Sequence, residues 1–436
     1  MSSARIGIGQ GTAIYVGAIL GAGILALPSL AAKEAGPASV LAWALLLLFC
    51  VPVATTFAAL GGRYPDGGGV ATFVAKAFGP RASAVVGYWF YFALPAGAPA
   101  TAFVGGRYVA DALGGGQTLA LLIAVVLLGL AFTGNAVGLT ISGRVQLVLV
   151  AVLALLLLIA CVAALPSVRP ENLTPFAPHG FWSVGGAASL LFFSFAGWEA
   201  VTHLSGEFRD PARDLRRVTA LTLAVVAILY IGISLTSVLV LGPQLADSPA
   251  PLSLLLQAGV GGAASAVTAT VAALLALGTM TVYLAGASRL GAALARDGAL
   301  PSWMAKGNAP GEVPRRSLAV LGVLSAAVSV LALATGASLG SVMLGASACF
   351  IAVTVAGLVA GARLLPTGRP VWFGAVLAAV VMAVVLVFSE WFLLVPLVLG
   401  VAAVLYRRRR EKVDPADPVA GADVDAGAQS AAGVAR

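Results

Sequence analysis

The stretch GAILGAGILALP, Gly17–Pro28, reads as an apolar helix that cannot run straight. Gly21 and Gly23 bracket Ala22, and Pro28 follows five residues later. Glycine weakens a helix by about 1 kcal/mol relative to alanine, and proline removes a backbone donor. A counterpart lies in FSFAGWE, Phe193–Glu199, where Gly197 interrupts another apolar run. Two readings are open for such glycines. They allow helices to pack closely, or they mark a break whose freed N–H and C=O groups hydrocarbon cannot satisfy, so that it persists only where it lines a cavity. The position of the two stretches within the whole chain favours the break.

That chain has 436 residues, 60% hydrophobic and 10% charged, with a mean hydropathy of +1.02. This composition excludes an ordinary soluble domain and points to an integral membrane protein. Apolar runs of about 20 residues, the length of a helix that crosses ~30 Å of hydrocarbon, recur near 6–32, 38–60, 84–106, 118–134, 145–165, 184–206, 218–241, 263–288, 317–335, 339–361, 371–388 and 390–406. They are too long and too uniformly apolar for barrel strands. The expected fold is therefore all-α, with twelve transmembrane helices. The first run is a membrane helix, not a cleaved leader, because a second run follows it at once.

With the N-terminus placed in the cytoplasm, only Lys33, Arg107 and Arg169 of the 25 Lys and Arg residues fall outside. Both termini are accordingly expected to be cytoplasmic, in a multi-pass protein of the cell membrane. The net charge of +8 is a topology signal; no basic soluble face exists to bind nucleic acid. Arg407–Arg410 are placed to anchor the last helix at anionic headgroups. Cys50, Cys161 and Cys349 are scattered, and His179 and His203 are too few for a metal cluster, so neither metal nor cofactor is expected. No Ser/His/Asp or paired-carboxylate constellation suggests an enzyme. Residues 413–436 read as a disordered tail.

Four spans separate the first interrupted helix from the sixth, and four follow the sixth before the last pair. This gives a 5+5+2 arrangement: a first repeat over 1–165, a second over 166–361, two peripheral helices over 362–406, and a basic anchor and tail over 407–436. Because five is odd, the second repeat enters the membrane from the opposite side. Interrupted helices at corresponding places in inverted repeats point to a transporter site. A zwitterionic amino acid suits both kinds of freed group. N–H groups around Gly21, Ala22 and Gly23 would hold its carboxylate, and carbonyls around Ser194 and Ala196 its ammonium.

Four motifs now carry a resemblance: GAGIL at Gly21–Leu25, RYPDGGGVATFVAKAFGPR at Arg63–Arg81, FAGWEAVTHLSGEFRDPARDLRR at Phe195–Arg217, and SRLGAALARDGALP at Ser288–Pro301. In this order the chain resembles the amino acid-polyamine-organocation superfamily of transporters. Within it, the similarity runs to the branch of bacterial exporters of L-methionine and branched-chain amino acids. The resemblance implies an inverted-repeat core with a substrate site between helices one and six. By position it puts Gly21, Ala22, Gly23 and Ile24 on the carboxylate-binding break and Phe193, Ser194, Ala196 and Gly197 on the break in helix six, with Phe193 as an aromatic gate. Arg216 replaces a proline usual in the third motif, which leaves the start of helix seven less sharply defined. Ala22 stands where many relatives have Ser or Thr.

Glu199 and His203 are the only charged or imidazole side chains well inside any expected span. Since an unpaired charge at mid-membrane costs at least ~2.5 to 3.5 kcal/mol, neutral apolar amino acids are the expected substrates. Tyr91, Leu94, Trp198, Thr279 and Tyr283 are candidates for the pocket wall, although an aromatic in such a helix also serves packing. Glu199 and His203 lie four apart and share a helix face. They form a candidate proton-responsive pair for coupling, or Glu199 satisfies backbone N–H groups at the break; for His203 the structural role is the plainer reading. Helix five carries no Lys, Ser or Thr, so neither a lysine device nor a hydroxyl-based sodium site is expected there. Glu207 and Arg213 fall on the third motif and are candidates for a cytoplasmic gate, against the alternative of a solvated loop.

Overall fold

The computed structural model describes residues 7–21, 23–64, 69–138, 143–198, 208, 210–260, 264–307 and 312–413. Among these residues the fold is all-helical, with no β-strand. The helices are α1 (Ile8–Leu20), α2 (Gly23–Ala35), α3 (Ser39–Arg63), α4 (Val70–Phe78), α5 (Pro80–Ala112), α6 (Gln117–Ala136), α7 (Gly143–Ala164), α8 (Ser183–Phe195), α9 (Pro211–Leu241), α10 (Pro251–Val260), α11 (Ala264–Arg296), α12 (Arg315–Thr335), α13 (Leu339–Leu364), α14 (Pro370–Val387) and α15 (Leu394–Val413).

Nine stretches of the described residues are long and apolar enough to cross a membrane; one of them, Gly23–Arg63, holds both α2 and α3. The helix expected at 84–106 is continuous as α5 but is not among the nine, because Tyr88, Trp89, Tyr91, Pro95, Pro99 and its glycines dilute its hydropathy. Helices α1 and α8 are apolar but short, each 13 residues. At 1.5 Å per residue each covers about 20 Å, less than the ~30 Å of hydrocarbon.

The short helices occupy the middle of the protein. Tyr15, Ile19, Leu20, Ile24, Leu25 and Leu27 of α1 and α2 are buried, as are Leu191, Phe192 and Phe195 of α8. Around them α3 and α9 close one side through an aromatic cluster. Trp43 of α3 lies 5.8 Å from Phe195 and 4.9 Å from Tyr230 of α9, and Phe195 lies 5.0 Å from Tyr230. Their edge-on and tilted arrangements place ring edges against ring faces, the favoured packing of aromatic quadrupoles. Helices α5 and α11 close the opposite side. By contrast α15 is largely exposed apolar surface, held to α5 by Trp89 Nε1 donating to the Pro396 carbonyl at 2.6 Å and Arg407 donating to the Pro80 carbonyl at 2.7 Å.

The start of α9 corrects the sequence reading. It begins at Pro211, not near 218, and it is sharply defined. Asp210 accepts the Arg213 N–H at 3.2 Å, while Asp214 accepts the Asp210 N–H at 3.2 Å. This reciprocal cap satisfies two donors that the first turn leaves orphaned, and Pro211 occupies the one helical position that needs no N–H. The proline missing at 216 is therefore not required.

Close helix approach depends on particular glycines. A Cβ on Gly106 of α5 would sit 3.0 Å from the Ala124 backbone nitrogen of α6, whereas one on Gly129 would meet nothing within 4 Å. Gly106→Leu should therefore force α5 and α6 apart and lower the melting temperature of the purified protein, overpacking costing about 1–3 kcal/mol or more. Gly129→Leu should melt at or above the parent, since it gains helix propensity without a clash. Equal melting of the two variants would contradict this packing.

Candidate functional site

Helix α1 stops at Leu20 because Gly21 takes φ +32° and ψ −179°, a conformation that side-chain-bearing residues rarely adopt. Its N–H still reaches the Gly17 carbonyl at 3.5 Å, and α2 starts at Gly23. Helix α8 stops at Phe195 because Ala196 turns extended, φ −67° and ψ 120°. The two breaks face one another. A Cβ on Gly197 would sit 2.9 Å from the Ile19 side chain and 3.1 Å from the Ala18 carbonyl, and one on Gly23 would sit 2.6 Å from Ser194 Oγ. Bare backbone at both positions gives the broken helices this close approach.

The last carbonyls of a helix have no intrahelical partner, and here two tyrosines from neighbouring helices supply one. Tyr230 of α9 places its hydroxyl 2.8 Å from the Ile19 carbonyl and 2.9 Å from the Ser194 carbonyl. Tyr283 of α11 places its hydroxyl 3.3 Å from the Ala18 carbonyl and 3.3 Å from the Ala196 carbonyl. A phenol has one hydrogen to donate, so each tyrosine shares it between a carbonyl of α1 and a carbonyl at the end of α8. The carbonyls expected to receive a substrate ammonium, Ser194 and Ala196, are thus already approached by hydroxyls. Each keeps a second lone pair for another donor.

Between the breaks lies a cavity of about 40 Å³. One water needs ~10–15 Å³ and an apolar cavity of ~150 Å³ takes benzene, so the space has room for a few waters at most and not for an amino acid the size of leucine. Gly21, Gly23, Phe193, Ser194 and Ala196 line it from the breaks, Thr279 and Tyr283 from α11, and Leu94 from α5. The Phe193 ring sits between two glycines: a Cβ on Gly23 would be 3.1 Å from it, and one on Gly97 of α5 3.6 Å. Ser194 Oγ is buried and has no hydrogen-bond partner among the described residues. No charged side chain is among the described lining residues.

Other expected site residues stand elsewhere. Tyr91 is not on the cavity wall; it is fully buried, donates to the Ser317 carbonyl at 2.9 Å and so ties α5 to the first turn of α12. Trp198 packs edge-on against Tyr15, ring centroids 6.5 Å apart, and its Nε1 is buried without a partner among the described residues. Ile24 is buried in the core behind the break, and Gly197 faces α1 and not the cavity. The Arg213 side chain is exposed, its backbone N–H serving the α9 cap. Ala22, Glu199, His203 and Glu207 lie outside the described residues. Sequence reasoning missed Gly97, Ala98, Thr101, Met280 and Phe350 on the wall. It also missed Tyr230, whose only signal was a lone tyrosine in a long apolar helix.

Comparison with known proteins gives the family. Residues 6–416 match the amino acid permease family. The chain is 33% identical to the uncharacterized amino acid permease YecA of Bacillus subtilis, over 92% of this chain and 95% of that protein. It is 30% identical to the branched-chain amino acid permease BcaP of the same organism, over 80% and 79%. It is 34% identical to the L-methionine/branched-chain amino acid exporter YjeH of Escherichia coli, over 52% of this chain and 54% of that one. These relatives are transporters and not enzymes. The chain belongs to the amino acid permease family of the amino acid-polyamine-organocation superfamily.

Proposed function

We infer that the protein is a secondary active transporter of neutral apolar L-amino acids such as methionine, leucine, isoleucine and valine, working by alternating access. The observation that carries the reading is the cavity itself. It is apolar, it holds no charged side chain among the described residues, and it lies where two broken helices present backbone groups and an unpartnered Ser194 hydroxyl. A carboxylate is held by freed N–H groups at the start of α2, where the helix dipole is positive. An ammonium is received by the free lone pairs at Ser194 and Ala196, and the substrate side chain by Leu94, Met280, Phe193 and Phe350. A cationic or anionic side chain would find no partner there and would be excluded by its desolvation.

In this reading twelve membrane helices form two inverted sets of five plus a peripheral pair, α14 and α15, with both termini in the cytoplasm of a cell-membrane protein. Transport runs outward, as the name of the exporter YjeH suggests, and is coupled to protons through Glu199, with His203 beside it and Glu207 and Arg213 as a cytoplasmic gate. Import or exchange of the same substrates is the second reading, favoured by the permease name of BcaP. Because the cavity is far smaller than its substrate, loading requires α1 or α8 to move away from α5 and α11.

Counterflow in proteoliposomes tests the substrate class. Labelled methionine and leucine should exchange and labelled arginine and glutamate should not; flux of the charged pair alone would overturn the reading. A pH gradient should drive net methionine flux, and Glu199→Gln should abolish that drive while sparing exchange. A variant that responds like the parent returns Glu199 to a structural role.

The contact between the breaks gives a second test. Gly23→Ala should cut methionine counterflow at least about tenfold, since a methyl at 2.6 Å from Ser194 Oγ pushes α2 off α8 and misplacement of that order in a site costs about 10²-fold. Adding Ser194→Ala should recover part of the loss by removing the overlapping atom. Full activity in Gly23→Ala would show that close approach is dispensable.

A further inference from the structure

A second cavity, about 350 Å³, lies away from the breaks. Its floor is α5 from Pro99 to Arg107, and its walls are α6 from Gln117 to Leu128, the last turns of α12, and the turn that leads into the start of α13, where Leu339 and Val342 line it. Helices α6 and α12 meet at their other ends, where Arg315 Nε donates to the Ala136 carbonyl at 3.0 Å and Phe132 packs over Gly322. Toward Gln117 they diverge and leave a trough between them. Eleven residues of α6 separate Gln117 from Leu128, about 16 Å at 1.5 Å per residue, half of the ~30 Å of hydrocarbon and so the depth of one leaflet. The rim continues into apolar side chains that nothing in the protein covers: Leu122 is 61% exposed, Val125 69% and Val330 65%. The trough therefore opens sideways, toward lipid.

One charge interrupts this apolar lining. Arg107 is half-buried near the end of α5, with its guanidinium 5.5 Å from the Phe103 ring centroid. No ion pair or hydrogen bond engages it among the described residues, although Asp111 is one turn away. A cation so placed calls for an anion, and the trough leading away from it calls for a chain of methylenes. A free amino acid answers only half of this, because the described lining offers no carboxylate to its ammonium.

We propose that this trough binds one anionic phospholipid of the phosphatidylglycerol kind, its phosphate at Arg107 and an acyl chain between α6 and α12. The leaflet is the outer one in the orientation given above, and the proposal rests on that membrane reading but not on transport. Lipid retention is read without flux, so its failure and a failure of the transport reading are distinguishable.

Native mass spectrometry of the purified full chain, offered phosphatidylglycerol or phosphatidylcholine with the same acyl chains, is the test. The parent should retain one phosphatidylglycerol about fivefold over phosphatidylcholine, the preference one surface cation confers. Arg107→Lys should keep that preference, Arg107→Gln should abolish it, and Ala124→Phe, filling the trough, should lose this lipid of either headgroup. Without any change at Arg107, the added fluorescence of Val125→Trp should be quenched more by brominated phosphatidylglycerol than by brominated phosphatidylcholine. Equal quenching, equal retention by the parent, or an unchanged preference in Arg107→Gln would overturn the proposal. Displacement of the lipid by free methionine would assign the trough to an amino acid, and loss of a dimer in Arg107→Gln would assign it to a second copy of the chain; either would overturn it too.

Discussion

Hydrocarbon offers no hydrogen bonds, so a helix that breaks inside a membrane must find partners for its freed backbone within the protein. The centre of this structure is arranged around that requirement. Gly21 and Ala196 end two helices where each ought to continue, and the carbonyls of Ala18, Ile19, Ser194 and Ala196 are left to be satisfied. Tyr230 and Tyr283 meet the need from opposite sides. Their own positions are fixed in turn by what surrounds them, Tyr230 by the Trp43 and Phe195 rings and by full burial in α9. An unmet buried carbonyl costs about 1–3 kcal/mol, so four of them would strain any fold of ordinary stability.

The same requirement explains the character of the cavity. Bare backbone at Gly23 and Gly197 brings the two breaks into contact, and the space that survives between them has polar edges and apolar walls. Among the described residues, Ser194 Oγ is fully buried there without a partner. A ligand with both a donor and an acceptor at one end and an apolar body at the other answers that distribution. On the proposed function, the small volume links binding to helix movement: substrate would enter as the packing of α1 and α8 against α5 and α11 loosens.

The breaks were legible in the sequence because glycine and proline inside an apolar run violate a strong local preference. Gly21, Gly23 and Gly197 could be placed from that violation alone, and the four motifs around them fixed the family. The cavity wall was less legible. Tyr91, Tyr230 and Tyr283 are all tyrosines in long apolar helices, and nothing local separates the one that serves α12 from the two that serve the breaks. Their roles depend on which face of a straight helix points inward, and a helix buried on several sides shows little periodicity. Gly97, Ala98 and Thr101 escaped for the same reason. At α9 the error was different: the boundary was read from hydropathy, while the helix is set by the Asp210 and Asp214 cap in the polar segment before it.

The shared tyrosine hydrogens carry a mechanical consequence. Each hydroxyl contributes one hydrogen to two carbonyls that belong to different broken helices, so it holds α1 and α8 together only while both remain within about 3 Å of one oxygen. If α1 moves relative to α8, the hydrogen passes wholly to one carbonyl and leaves the other bare. The pairing of the breaks is thus cheapest when both are closed or when something else donates to the carbonyl left behind. On the proposed function, a substrate ammonium, with three hydrogens, would do this for Ser194 and Ala196, both of which line the cavity. The interaction that holds the two breaks together is, on that function, of the same kind as the one that would bind the substrate, and occupancy would lower the cost of separating the two helices.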